Sequence, residues 1–565
     1  MQFLHKKIQD SKNIKIGYII LAIIVAYIFS VGVRFIWVEQ FKNVEAFQWN
    51  NEIMINTNDG YLYAEGARDL INGYHQENDL SAVNSPLSKV TAFLSQHLPF
   101  SFETIILYMP SFFGSLLVIP MILIGVALRQ PLMGFSSALI ASITWSYYNR
   151  TMTGYYDTDM LVIVFPAFIL WSLIYLIQSQ KKYFLILPPV FMAFYYLWYP
   201  QSYSINMALT GMTFVYIFAF ARTNINYKLL VLLPIAVVNL DLTLKLVIIF
   251  TVYGLLLGLE HLRNKKELTI DDKKESDVVL KTGEEKKPLN TTPIILTLVA
   301  ISTIYLAYAG GADAIISQLK QYVIRDEVVA EKQIEANQTG NKAEEIKKVE
   351  LTFYSVVQTV REAGAISYET LANRISGHPI AFVLASIGII LMLLRFKILL
   401  LALPLIGLGL LALNSGLRFT VYTVPVHALG IAFLIILVAS FFKNNFLKYS
   451  LALVLTAGVL YPNIKHIESY RVPVVFNRPE VAVLDALQKM ATREDYVMTW
   501  WDYGYPIRYY SDVKTLVDGG KHMGSVNYPV SYALMQPQVE SSNMSRLAVE
   551  YTEEGKYDII TNNYI

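Results

Sequence analysis

Apolar runs of bilayer-crossing length recur along this sequence as far as residue 463. A hydrocarbon core ~30 Å thick takes about 20 apolar residues in helical form. The runs fall at approximately 14–37, 104–127, 132–148, 160–178, 183–198, 202–221, 228–240, 243–260, 293–309, 379–394, 397–413, 420–441 and 447–463. The stretch 228–260 is interrupted by Asp241 and Lys245. As one straight helix it is ~50 Å long at ~1.5 Å per residue, too long for one crossing, so it reads as two. With 54% hydrophobic and only 16% charged residues, the expected class is a polytopic α-helical membrane protein of about 13 transmembrane helices. The first run is long enough to stay as a span, unlike a cleaved signal peptide.

Basic residues orient such a bundle, because short cytoplasmic loops carry an excess of Lys and Arg. Lys6, Lys7, Lys12 and Lys15 assign the N-terminus to the cytoplasm. Alternating from there, Arg129, Lys181 with Lys182, Arg222 with Lys228, the Lys-rich 262–292, Arg395 with Lys397, and Lys443 with Lys448 all fall inside. The opposite face receives 38–103, 149–159, 199–201, 310–378, 414–419 and everything after 463. The charged, aromatic-poor stretch 262–292 reads as a solvated linker. With no cysteine in the chain, disulfides, thiolate metal sites and a cysteine nucleophile are excluded.

The chain therefore divides into a membrane domain, 1–463, with outer loops 38–103 and 310–378, and a tail, 464–565, of different character. The tail offers a helix at Val481–Met490, a strand at Tyr496–Trp501 and a turn at Asp518-Gly519-Gly520. This is the pattern of an α/β domain, with Trp501-Asp502 just past a strand's carboxyl end, where such folds keep ligand sites. Two indoles beside a carboxylate in "TWWDYGYPIRYY" (499–510) read either as packing or as recognition of an amphipathic partner.

The outer face also collects acids and arginines from separate loops: Asp59 in "NTNDGYLYAEGARD", Arg150 ahead of Asp157-Thr158-Asp159, Glu362 in "TVRE", Arg374 in "NRISG" and Arg418 in "NSGLRFT". Each has an ordinary structural reading. "NDG" is a turn signal, Asp-Thr-Asp before a span is a helix cap, Arg418 snorkels to headgroups, and the tryptophans form an interfacial belt. An EF-hand at Asn56–Asp59 fails for want of a bidentate Glu at the right offset. Together, carboxylates converging at one membrane face are hard oxygen donors suited to Mg²⁺ or Mn²⁺.

The motif Trp500-Trp501-Asp502-Tyr503-Gly504, with Asp59, Asp157-Thr158-Asp159, Glu362, Arg374 and Arg418 in this order, resembles the catalytic subunit of oligosaccharyltransferases, most closely the single-subunit bacterial, PglB-like enzymes. The resemblance covers nearly the whole chain. It implies a GT-C membrane domain followed by a periplasmic α/β domain in the bacterial inner (cytoplasmic) membrane, with the active site facing the periplasm. It implies an undecaprenyl-pyrophosphate-linked oligosaccharide as donor, an acceptor protein with a D/E-X-N-X-S/T sequon, membrane lipids as surroundings and no nucleic acid. By the same resemblance Asp59 and Glu362 are catalytic, and Asp59, Asp157, Asp159 and Glu362 hold Mn²⁺ or Mg²⁺. Trp500, Trp501, Asp502, Arg374 and Tyr505 bind the acceptor; Arg418, Trp198, Tyr199, Tyr322 and Arg150 face the donor. The family pattern continues beyond residue 565, so the α/β domain is expected to be truncated. A sequon at Asn337, with Glu335 two residues before it, is an expected site of self-modification.

Two other readings compete. A lipid-phosphate-dependent O-mannosyltransferase shares the acidic first loop but has no use for WWDYG. A transporter requires charges at mid-span, for which only Asp241 and Lys245 offer support.

Overall fold

The computed structural model describes residues 10–11, 14–73, 80–258, 291–311, 360–522 and 527–554. Tyr322 and Asn337 lie outside the described residues. Among the described residues, eight helices are long and apolar enough to cross a membrane: Ile16–Phe41, Phe102–Ala127, Asp159–Ser179, Pro200–Phe220, Thr292–Ala309, Lys397–Ser415, Leu417–Ala439 and Asn445–Ser469. Pro379–Arg395 makes a ninth span if it is taken with Tyr368–Ser376, from which it bends by 72°. Pro131–Ile143, Asn224–Val237 and Leu242–Gly258 are apolar but shorter, as is Leu187–Trp198 with 12 residues. Length and composition thus mark eight or nine crossings among helices that occupy all of the apolar runs.

The stretch 228–260 is broken, and Asp241 is the reason. Its carboxylate accepts from the backbone N–H groups of Thr243 (2.8 Å) and Leu244 (3.3 Å), capping the second helix.

Lipid tails are as apolar as leucine, so membrane helices associate through close approach at small residues rather than through water exclusion. A Cβ added to Gly388 would lie 2.0 Å from the carbonyl oxygen of Gly430, and one on Gly125 would lie 2.4 Å from the Cα of Gly134. These contacts lock Pro379–Arg395 to Leu417–Ala439, and Phe102–Ala127 to Pro131–Ile143. Leu417–Ala439 becomes the centre of the bundle, with 89% of its apolar window buried.

At the outer ends of the helices, β1 (Gln48–Trp49) and β2 (Glu52–Ile53) form an antiparallel hairpin. Asn50 and Asn51 close it at φ 50° and 65°, the left-handed pair that a two-residue turn requires. Two helices follow, Asn58–Asn72 and Pro86–His97, packed on each other. The last membrane helix runs on to Ser469, past the domain boundary read at 463. Beyond it Arg478–Gln488 opens on a capping box between Asn477 and Glu480. β3 (Tyr496–Val497) pairs in parallel with β4 (Lys514–Thr515), joined through helix Gly504–Ser511. This is the strand–helix–strand start of an α/β unit, although β3 is shorter than expected. The chain leaves the sheet at Met498 and turns through a 3₁₀ segment at Trp501–Tyr503, which carries the indoles out of the ladder.

Candidate active site

Helix Gly504–Ser511 lies against helix Asn58–Asn72, and one side chain fastens them. Arg508 is 1% exposed. Its guanidinium donates to both carboxylate oxygens of Glu65, with the shortest bond at 2.7 Å, to Asp518 at 2.9 Å and to the Leu80 carbonyl at 3.0 Å. A second set surrounds it: Arg493 pairs with Asp69 at 2.8 Å, and Arg68 with Asp512 at 3.0 Å. The first outer loop and the tail are therefore one rigid floor. On it Asn58 donates to the carbonyl of Asp502 at 2.7 Å, placing WWD directly beside Asp59.

Two glycines set the spacing around Asp59. A Cβ on Gly60 would stand 2.5 Å from the carbonyl oxygen of Tyr156, and one on Gly519 would stand 2.9 Å from Oδ1 of Asp59. The first closes Asp59 on the Asp157–Asp159 loop; the second closes the tail on Asp59. The loop itself hangs on the first span. Arg34, buried, donates to the carbonyl and hydroxyl of Thr151 at 2.9 and 2.7 Å, and Asn56 donates to the Thr153 carbonyl at 3.0 Å.

Glu362 arrives from the opposite side. Gly416, at φ 106°, has its Cα so near Glu362 that a Cβ would sit 2.1 Å from the Glu362 carbonyl oxygen. The Leu417–Phe419 turn carrying Arg418 thus rests on the turn carrying Glu362. Arg150 bridges Asp159 and Glu362 by ion pairs to both.

Electrostatics record the crowding. Asp59 opens onto the site, yet desolvation, then the negative charges of Glu362, Asp502 and Asp159, push its carboxyl up to about 6. Burial, Asp159 and Asp59 raise Asp157 well above the usual carboxylate range. Burial also acts on Glu362, but Arg150, Arg418 and Arg374 outweigh it and hold Glu362 below its ordinary value. Arg374 and Arg418 therefore face this same cluster. Among the described residues, no three acids or histidines stand close enough together to hold a metal ion; Arg150 separates Asp159 from Glu362.

The WWD segment is largely open to solvent. Trp500 is 40% exposed, and the Asp502 carboxylate is exposed and makes no hydrogen bond or ion pair among the described residues. Trp501 is braced by His522, whose ring stacks on the indole at 4.3 Å. Both His522 ring nitrogens are buried and have no hydrogen-bond partner among the described residues. His522 lies two residues beyond the Asp518-Gly519-Gly520 turn at which the sequence reading stopped, and a lone histidine there gives no periodic signal.

Three assigned residues do other work. Arg150, expected on the donor side, stands among the carboxylates, because only a cation makes so many buried acids tolerable there. Trp198 is buried and donates from Nε1 to the Thr158 carbonyl at 2.8 Å, fixing the peptide between Asp157 and Asp159 rather than facing a donor. Tyr505 is buried under Gly519 and Gly520, its ring beside Arg508, and forms floor rather than acceptor wall. Tyr199 is half-buried, with its hydroxyl donating to Gln201 at 2.6 Å.

Acidic loops at helix ends, roofed by an exposed Trp-Trp-Asp turn, define a membrane-embedded transferase with a GT-C-like fold. Residues 16–465 match the family model "Oligosaccharyl transferase STT3, N-terminal", and residues 493–564 match the STT3/PglB/AglB core domain. The chain belongs to the STT3/PglB oligosaccharyltransferase family. It is 42% identical over 556 residues to the undecaprenyl-diphosphooligosaccharide–protein glycotransferases of Campylobacter jejuni strains RM1221 and ATCC 700819, covering 96% of this chain and 71% of each relative. The Archaeoglobus fulgidus oligosaccharyltransferase AglB, in complex with an inhibitory peptide and a dolichol-phosphate, matches at TM-score 0.64 and 12% identity, over 94% of this chain and 68% of that one. The same archaeal enzyme tethered to an acceptor peptide containing the NVT sequon matches at TM-score 0.60 and 13% identity, again over 94% and 68%. At such identities the likeness is one of fold.

Proposed function

We propose that this chain transfers an oligosaccharide en bloc from undecaprenyl pyrophosphate to the side-chain amide of asparagine in Asn-X-Ser/Thr sequons, with an acid preferred at −2. The observation that carries this reading is the meeting of Asp59, Glu362 and Arg418 beside an exposed Trp500–Asp502 ledge, in a chain 42% identical to enzymes named for this transfer. The site would face the periplasm from the inner membrane, in keeping with the basic loops at the other helix ends.

A carboxamide nitrogen is a weak nucleophile because its lone pair is delocalised into the carbonyl; rotation about such a C–N bond costs ~18–20 kcal/mol. Asp59 and Glu362 each accept one amide N–H, which weakens the conjugation. The nitrogen attacks the anomeric carbon, the C–O bond to the pyrophosphate breaks with its electron pair on oxygen, and the amide proton passes to a carboxylate. Arg418 pairs with the leaving pyrophosphate by charge-assisted bonds. Trp500 and Trp501 wall the Thr methyl while Asp502 accepts a hydrogen bond from the Ser/Thr hydroxyl, so residues lacking that hydroxyl are rejected. Arg374 pairs with the acid at −2.

Asp59, Asp157, Asp159 and Glu362 have the hard oxygen chemistry of a Mn²⁺ or Mg²⁺ site, and burial, followed by the charges of Glu362, Asp502 and Asp159, raises Asp59, an environment that a cation would relieve. A bound cation would supply Lewis-acid stabilisation of the leaving group; holding all four acids, it would compete with Arg150.

The decisive assay incubates the purified protein with undecaprenyl-pyrophosphate oligosaccharide and a DQNAT-type peptide. A peptide mass shift by the intact glycan, on asparagine, is expected; no shift, or sugar on a hydroxyl, overturns the reading. Arg418→Ala is expected to raise the donor KM about ten-fold or more with little change in the peptide KM. If only the peptide KM moves, Arg418 belongs to the acceptor.

Asp59 also predicts a pH dependence. Its carboxyl is raised in the folded state, so its contribution to stability is fully present below the unfolded value of 3.8 and is lost as pH rises through about 6. Ionised Asp59 is what the reaction uses, so kcat/KM falls roughly ten-fold per pH unit below the folded pKa and levels above it. A profile unchanged in Asp59→Asn relative to the parent, at any residual rate, removes Asp59 as its source.

A further inference from the structure

At the helix ends far from the acidic cluster, a cavity of about 530 Å³ opens between helices Asp159–Ser179, Pro200–Phe220 and Pro379–Arg395. Its lining includes Gln178, Phe220, Asn226, Leu394, Arg395 and Lys397. Helix Asp159–Ser179 begins at the active site and ends here, so its 21 residues set the two about 30 Å apart, one hydrocarbon thickness.

The charges are of one sign and only partly used. Arg395 reaches Asp10 at 2.8 Å through one terminal nitrogen, and its Nε is buried without a partner among the described residues. Lys397 is exposed, with no hydrogen bond or ion pair among the described residues. Its Nζ lies 5.5 Å from the Phe220 ring centroid. Apolar surface continues outward from the cavity, with Phe220 54% and Leu394 47% exposed. The volume lies within the range of small-molecule pockets, and basic pockets between membrane helices at this depth suit anionic lipid headgroups.

We propose that this cavity holds the headgroup of an anionic phospholipid from the leaflet opposite the active site, its acyl chains lying on Phe220 and Leu394. Lys397 and the free edge of Arg395 meet the phosphate, while Gln178 faces the polar remainder of the headgroup. The lipid is a wedge between two spans, and the site is independent of catalysis.

The full-length protein in detergent is titrated with phosphatidylglycerol, phosphatidylcholine or inorganic phosphate, and read by native mass spectrometry and by thermal midpoint. Phosphatidylglycerol is expected to be retained at least five-fold better than phosphatidylcholine and to raise the midpoint. Lys397→Gln weakens it about five-fold, as removal of one basic group near a phosphate does. Gln178→Trp leaves both cations in place, fills the cavity and is expected to remove binding. Equal retention of the two lipids, an equal midpoint rise with inorganic phosphate alone, or parent-like phosphatidylglycerol binding by either variant overturns the proposal.

Discussion

Replacing Asp59 and Glu362 together by alanine is expected to lower transfer by about three orders of magnitude or more and to leave the protein folded. The two carboxylates come from loops hundreds of residues apart and are brought into one field by the glycine contacts at Gly60 and Gly416. Each is assigned one amide N–H of the acceptor, so neither replaces the other. A single preorganised electrostatic group is worth roughly 10²–10³ in rate. Stability moves differently. Asp59 is a strained carboxylate above about pH 6, so its removal relieves repulsion at neutral pH. Loss of Glu362 breaks its ion pair with Arg150. The thermal midpoint of the double variant should therefore stay close to the parent while turnover disappears, and Mn²⁺ affinity measured by calorimetry should drop. Parent-like turnover in the double variant would remove the proposed chemistry altogether.

The largest effect on stability is expected at Arg508. Its guanidinium serves Glu65, Asp518 and the Leu80 carbonyl at once while 1% exposed. Arg508→Ala leaves two acids and a carbonyl in a cavity, and breaking a buried pair in this way costs about 3–5 kcal/mol. Lysine is no substitute, because an ammonium lacks the planar fork that meets two carboxylates from separate elements. Arg508→Ala and Arg508→Lys should both lower the thermal midpoint and loosen the floor under Trp501 and Asp59. The peptide KM then rises even at temperatures where the protein is folded. Glu65→Gln with Asp518→Asn in the Arg508→Ala background should recover part of the loss by removing the stranded charges. If Arg508→Ala shifts the midpoint by no more than a surface substitution does, the junction is held by something else.

Much of this was legible in the chain. Apolar runs announce membrane helices because the bilayer imposes a length and forbids unpaired backbone. The break in 228–260 was readable because the run is too long for one crossing and is interrupted by Asp241 and Lys245. The acids and arginines of the outer loops were readable as a group because the basic loops orient the bundle and leave them together on one face. WWDYG was readable through its resemblance to the family motif, since two indoles beside a carboxylate by themselves fit packing as well as recognition. Tertiary structure alone decided which of these residues touch. No pattern marks Arg508 as the pin between the first loop and the tail, since its partners Glu65 and Asp518 lie far from one another in sequence. Nothing local pairs Arg150 with the carboxylates, or joins the Trp198 indole to the Thr158 carbonyl. His522 becomes a brace only once the chain turns it onto Trp501. Helix periodicity and span length are properties of neighbouring residues, whereas a site's electrostatics are sums over groups that only folding assembles.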